Sequence, residues 1–266
     1  MNAQVKAYSL LKNSLFLILF LISFSLINCR NNPPKPKPQP EPVVKPVKAL
    51  DKLFSAAMAD AQNPEPSEVY DSLTTIEGNE DLIDSVINGN RHVLMVSWKN
   101  HPENYPEKGI YNTSKWNIWV TAAPYIQQRC KDYFQNSKDP ILRLRQLLGL
   151  QPFTEETIFL QLWVKPEDLF RPCPDSETSD TKCNLSLPAD VSEEYRKWFN
   201  DLRAVQYRDC TDTLYHELGY PWTQLGYTYD WSDENESNIG LSEFVVKKNA
   251  IVYVEAETPT SEYCKN

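Results

Sequence analysis

Residues 210–243 read CTDTLYHELGYPWTQLGYTYDWSDENESNIGLSE, and six of the seventeen residues from Tyr215 to Trp231 are Tyr or Trp. Carboxylates run through the same stretch, from Asp212 and Glu217 to Asp230, Asp233, Glu234, Glu236 and Glu243. Flat rings beside carboxylates suit a sugar, whose C–H face packs on a ring while its hydroxyls need ionised or amide acceptors. The candidate ligand contacts are Tyr220, Trp222, Tyr227, Tyr229 and Trp231. Two carboxyls roughly 5 to 10 Å apart would further permit glycoside hydrolysis; Asp230, Glu243 and Glu217 are the candidates. Histidine as a residue type can act as a base near neutral pH, which makes His216 a candidate, although adjacent residues such as His216 and Glu217 point in different directions on a helix or strand. The competing reading is a loop that packs its own rings into the core and leaves its acids in water.

Other chemistries have less support. The run 233–238 alternates oxygen side chains as a calcium loop does. Asn238 and Phe244 stand where an EF-hand needs Gly and Glu, so only a looser calcium site is compatible and no cofactor is expected. Glu255-Ala256-Glu257 resembles the E-x-E of ADP-ribosyltransferases, and on a regular strand both glutamates would share a face. The Ser-Thr-Ser element of that family is missing, with only Thr113-Ser114 near it. No serine stands in a G-x-S-x-G elbow. Seven glycines form no dinucleotide fingerprint or P-loop. Three histidines, His92, His101 and His216, include no H-E-x-x-H pair, which disfavours a histidine-rich metal centre. Nucleic acid is excluded as a partner by charge, since phosphate contacts need a basic surface.

The net charge of −9 averages unlike parts: residues 30–48 carry +4 and residues 49–266 carry −15. Lys6 and Lys12 precede thirteen residues, 15–27, of Leu, Ile, Phe and two Ser, and then Asn28-Cys29. That is the order of a secretory signal, and the apolar run is shorter than the ~20 residues of a spanning helix. Leu26-Ile27-Asn28-Cys29 resembles the lipobox of bacterial lipoproteins, with Asn28 where a small residue is usual. The resemblance implies cleavage before Cys29, lipid on that thiol, and a location in the cell envelope. Without it, the segment reads as an ordinary signal or an uncleaved anchor. Residues 29–48 hold seven prolines and five basic residues, a composition that stays extended. They read as a tether of roughly 60 Å at about 3.1 Å per residue.

Residues 49–266 then suffice for one domain. Helical spacing marks 48–62, with weaker signals at 68–76 and 80–87. Asp139-Pro140 and Gly149 bracket a helix over 139–148, and helices are also expected over 123–134 and 192–205. Strand patterns occupy 92–98, 116–122, 157–164, 242–246 and 250–255, the last two expected to form a hairpin through Lys247-Lys248-Asn249. The mixture predicts an α+β fold, an antiparallel or mixed sheet with helices packed on it. With Cys29 set aside, an exported domain should oxidise the remaining cysteines. Cys173 and Cys183 flank a polar loop that needs closing and are expected to pair; Cys130, Cys210 and Cys264 leave their pairing open. The sequence thus describes an envelope protein anchored to a membrane by lipid, which binds a glycan or protein ligand through residues 210–243. A carboxylate hydrolase is the alternative.

Overall fold

The computed structural model describes residues 49–207 and 219–265. The expected export signal, Cys29, the tether, Cys210, His216 and Glu217 lie outside the described residues.

The described elements are α1 (Ala49–Ala61), β1 (Asp84–Ile87), β2 (Asn90–Lys99), β3 (Gly109–Asn112), β4 (Ile118–Ala122), α2 (Ala123–Asn136), α3 (Pro140–Leu147), β5 (Ile158–Val164), β6 (Leu169–Phe170), α4 (Glu193–Gln206), β7 (Tyr227–Tyr229), β8 (Ile239–Ser242), β9 (Phe244–Val246), β10 (Ile251–Pro259) and α5 (Thr260–Tyr263). The fold is α+β, as its sequence implies. One sheet runs β3-β10-β5-β2-β4-β9-β6, with β1 also paired to β2, and β7-β8 form a small second sheet. Every pair is antiparallel. None of the described helices is long and apolar enough to cross a membrane.

The central strands are apolar at nearly every position because both faces are covered. Val93 and Met95 of β2 meet Leu160, Leu162 and Val164 of β5, Ile118 and Val120 of β4, Phe244 and Val246 of β9, and Val252 and Val254 of β10 in one core. The alternate residues Leu94, Val96, Trp98 and Phe159 face the opposite way, onto Ile126 and Tyr133 of α2, Leu144 and Leu147 of α3, and Tyr263 of α5. A Cys130–Cys264 disulfide, Cα atoms 5.1 Å apart, ties α2 to the chain after α5. The expected Cys173–Cys183 bridge is present, Cα atoms 6.2 Å apart.

Local signals explain several element ends. Asp139 caps α3 by accepting from the Leu142 N–H at 3.0 Å, and Ser192 caps α4 through the Tyr195 N–H at 3.2 Å. α1 buries Phe54, Ala57, Met58 and Ala61 against Tyr229 and Trp231.

Three expectations are corrected. Residues 68–76 contain no α-helix, and 84–87 form strand β1 rather than the end of a helix. Asn88 and Gly89, at φ of 51° and 80°, supply the two left-handed residues of a tight hairpin from β1 into β2. Strands β9 and β10 do not form a hairpin, since β9 lies between β4 and β6 and β10 between β3 and β5. Five chain steps join Val246 to Ile251 although their strands stand four places apart, about 19 Å across a flat sheet. The sheet therefore curls, and Thr113 holds the closing turn. Its hydroxyl donates to the Lys247 carbonyl at 2.6 Å and accepts from the Ala250 N–H at 2.9 Å. Finally, β10 bulges between Val254 and Ala256. Glu255 accepts from Lys108 and from the Trp163 indole, whereas Glu257 pairs opposite the core residue Leu160. An extra residue breaks the alternation, so the two glutamates of the E-x-E do not share a regular strand face.

Candidate functional site

The aromatic segment serves two ends. Four of the five candidate rings are buried and anchored by polar tips. The Trp222 indole donates to the Pro172 carbonyl at 3.0 Å, Trp231 to Leu150 at 2.9 Å, the Tyr227 hydroxyl to Glu68 at 2.9 Å, and Tyr229 to the Asp60 carboxylate at 2.7 Å. Tyr220 is 41% exposed. Trp231 packs edge-on against Phe54 of α1, and Trp222 lies among Trp119, Trp198 and Phe199. Tyr227 and Trp231 therefore hold the fold together.

Tyr220, Trp222 and Tyr229 also line a cavity of about 320 Å³. Its opposite wall is the far end of β2 and β4, with Trp98, Lys99, Trp119 and Thr121, and its floor is Leu148 to Leu150 behind α3. Glu156 and Glu243 complete it. The volume falls at the small end of ligand pockets, about 300 to 1,000 Å³.

Sheet register builds the charged part. In the β2–β5 pair Lys99 stands opposite Ile158, and the Thr157 N–H donates to the Lys99 carbonyl at 2.9 Å, which brings Glu156 to the end of β2. Glu243 occupies the single position between β8 and β9, where its N–H donates to the Gly226 carbonyl at 2.9 Å. Gly226 is required there: it sits at φ +78°, and a side-chain carbon would come within 2.6 Å of Arg171 and 2.7 Å of the Cys183 sulfur.

The three ionisable groups share an unusual condition. Glu243 is partly buried, lines the cavity, and makes no side-chain hydrogen bond to a described residue. Burial pushes its carboxyl up to about 8, so it is protonated at neutral pH. Burial pulls the Lys99 ammonium below its ordinary value, with the charge of Glu156 opposing, and that ammonium has no ion pair or hydrogen bond among the described residues. The Glu156 side chain is 9% exposed; its buried Oε2 accepts no hydrogen bond and stands 4.0 Å from the equally unpartnered Nε of Arg145. Burial also raises the Tyr220 hydroxyl, with Glu156 adding to the shift. Buried polar groups are normally hydrogen-bonded, and here several unpartnered ones surround one space.

No protein-family model, curated protein or solved structure matches the chain. The site's own chemistry is therefore the guide to function.

Asp230 is elsewhere. Its carboxylate, 1% exposed, accepts two hydrogen bonds from Arg143 at 2.9 and 2.6 Å, one from Asn235 and one from the Ser232 N–H, so its acceptor capacity is used by the protein. Asn235, in the run that resembles a calcium loop, directs its amide oxygen to the N–H and hydroxyl of Ser237. His92 is buried between its own strand and the Tyr253 ring, and His101 is a surface partner of Glu103. Sequence reading passed over Lys99 and Glu156. The visible signal was positional: each is a charge directly flanking an apolar strand run, at ends that antiparallel pairing brings together.

Proposed function

We propose that the chain is exported, anchored to a cell-envelope membrane by lipid on Cys29, and carried on its proline-rich segment as a binding domain whose ligand, a glycan fragment, occupies the cavity between β2, β4 and residues 219–229. One observation carries the reading: Lys99, Glu156 and Glu243 meet an aromatic-walled space with hydrogen-bonding capacity that the described residues leave unused. Rings from Trp119, Trp222 and Tyr220 line the space for sugar C–H groups, and the Thr121 side chain adds a hydroxyl.

The test uses the cavity's own tryptophans. Titration of the full chain with a panel of mono- and disaccharides should give a saturable change in tryptophan fluorescence for at least one member. Tyr220→Ala should weaken that binding by about tenfold, the loss of one stacking contact. No saturable response from any saccharide contradicts the reading. Incorporation of labelled palmitate, lost in Cys29→Ser, tests the anchor separately.

A second reading, a carboxylate hydrolase, is favoured by one feature: a neutral acid, Glu243, shares the cavity with a second carboxyl, Glu156. Such a pairing divides acid and base roles between two carboxyls. Glu243→Gln should then abolish turnover of a chromogenic glycoside and spare sugar binding. Absence of turnover by the unaltered chain removes this reading and leaves the binding one.

A further inference from the structure

We infer that Glu156 selects the ligand of this cavity: with one carboxylate oxygen turned to Arg145 and the other open to the cavity, it accepts hydroxyl donors from an uncharged sugar and disfavours charged ones. The inference rests on the cavity being a ligand site.

The two oxygens of Glu156 have unlike surroundings. Oε2 is closed off from solvent and stands 4.0 Å from the Arg145 Nε, which is closed off as well, and neither atom has a hydrogen-bond partner among the described residues. Arg145 is fixed on α3. Its guanidinium donates to the Pro152 carbonyl at 3.2 Å, and its own carbonyl accepts from the Leu150 N–H at 2.8 Å. These bonds hold the guanidinium against the segment that leads into β5, where Glu156 stands. Oε1 differs: no described residue donates to it, and it keeps access to solvent. Glu156 lines the cavity with a side chain only 9% exposed, so that access is by way of the cavity.

An ionised carboxyl only accepts hydrogen bonds, and a buried acceptor without a donor is costly. Oε1 therefore calls for O–H or N–H groups from a ligand. Positive charge already borders Glu156 on two sides. Arg145 is one source, and Lys99 is the other: its carbonyl accepts from the neighbouring Thr157 N–H at 2.9 Å, and its ammonium feels the Glu156 charge. A ligand ammonium would bring a third cation to that place, and a ligand carboxylate or phosphate would set a second anion against Glu156. A hydroxyl does neither. It donates to Oε1 and keeps its lone pairs for the Lys99 ammonium.

The experiment is calorimetric titration of the full chain near pH 7 with three sets of probes, each an uncharged sugar beside charged relatives: glucose with glucuronate and glucosamine, galactose with galacturonate and galactosamine, and N-acetylglucosamine with N-acetylmuramate. In at least one set the uncharged sugar should bind at least about tenfold more tightly than its charged relatives. Glu156→Gln, which keeps the shape and removes the charge, should weaken that sugar by about 10- to 100-fold, the range for a hydrogen bond to a charged group. The same change should raise the affinity of the acid relative, because Lys99 and Arg145 then meet no fixed anion at that position; a variant that had only lost its fold would bind neither. Charged relatives that match or exceed their uncharged sugar in every set overturn the inference while the ligand-site reading stands. A loss of less than about threefold in Glu156→Gln also overturns it. Where Glu156→Gln lowers the melting temperature, the ranking by the unaltered chain decides alone. If no saccharide binds, charged or uncharged, the inference and the reading fall together.

Discussion

Arg143 of α3 grips Asp230 through both guanidinium nitrogens, at 2.9 and 2.6 Å, with the Arg143 guanidinium also 4.6 Å from the centre of the Tyr133 ring. The pair pins the chain after β7 to α3 and so fixes the wall on which Tyr229 stands. Removing one partner of a buried pair leaves an uncompensated charge and typically costs about 3 to 5 kcal/mol. Asp230→Asn and Arg143→Met should each lower the free energy of unfolding in denaturant by about that much. The double variant should cost less than the sum. Sugar affinity of whatever folds should be retained; loss of binding without loss of stability would make Asp230 a ligand contact.

Glu243 predicts a pH dependence with a definite sign. Its carboxyl titrates at about 8 in the fold against an ordinary value of 4.5. Between these the unfolded chain has released a proton that the fold still holds, so stability falls as pH rises from about 4.5 to about 8. The slope contributed is at most about 1.4 kcal/mol per pH unit. Glu243→Gln should remove that contribution, making the variant progressively more stable than the parent across this interval. Parallel stability curves would mean that Glu243 is ionised in the fold.

The two disulfides should contribute unequally. Closing the loop between Cys130 and Cys264, 134 residues apart, is worth about 5 kcal/mol by chain entropy, and the ten-residue separation of Cys173 and Cys183 about 3. Paired Cys→Ala replacements should reproduce that order in thermal melts. Mass measurement with alkylation before and after reduction should show these four thiols blocked until reduced.

Gly226→Ala should destabilise by about 2 to 4 kcal/mol, because the added carbon meets Arg171 and Cys183 at a left-handed backbone position. Arg171 cannot give way easily. It is fully buried, donates to Asp180 at 2.7 Å and to the Thr74 carbonyl at 2.9 Å, and so joins the 173–183 loop to residue 74.

How far the sequence was legible depended on whether a signal was local. Asp139-Pro140 and Gly149 delimit α3, and Ser192 starts α4, because caps act within a turn. The Ile158–Val164 and Asn90–Lys99 strands show as apolar runs because both faces are buried. The β9–β10 link misled because three polar residues look like a hairpin whether or not the flanking strands pair, and only the curl of the whole sheet decides that. The bulge at Glu255 left no local mark, so alternation was carried past the point where it breaks. In the site, Tyr220, Trp222, Tyr229 and Glu243 stood out by composition, but which rings face a cavity and which fill the core depends on α1 and α4. Lys99 and Glu156 are 57 positions apart and meet only through strand register.

The most direct measurement is a crystal structure of the chain grown with a saccharide that binds it in solution. The sugar should lie in the cavity with an oxygen within about 3.2 Å of the Lys99 Nζ and another group at that distance from the Glu243 carboxyl. A sugar seated elsewhere, or a cavity closed with Lys99 and Glu243 paired to protein groups, would contradict the central claim.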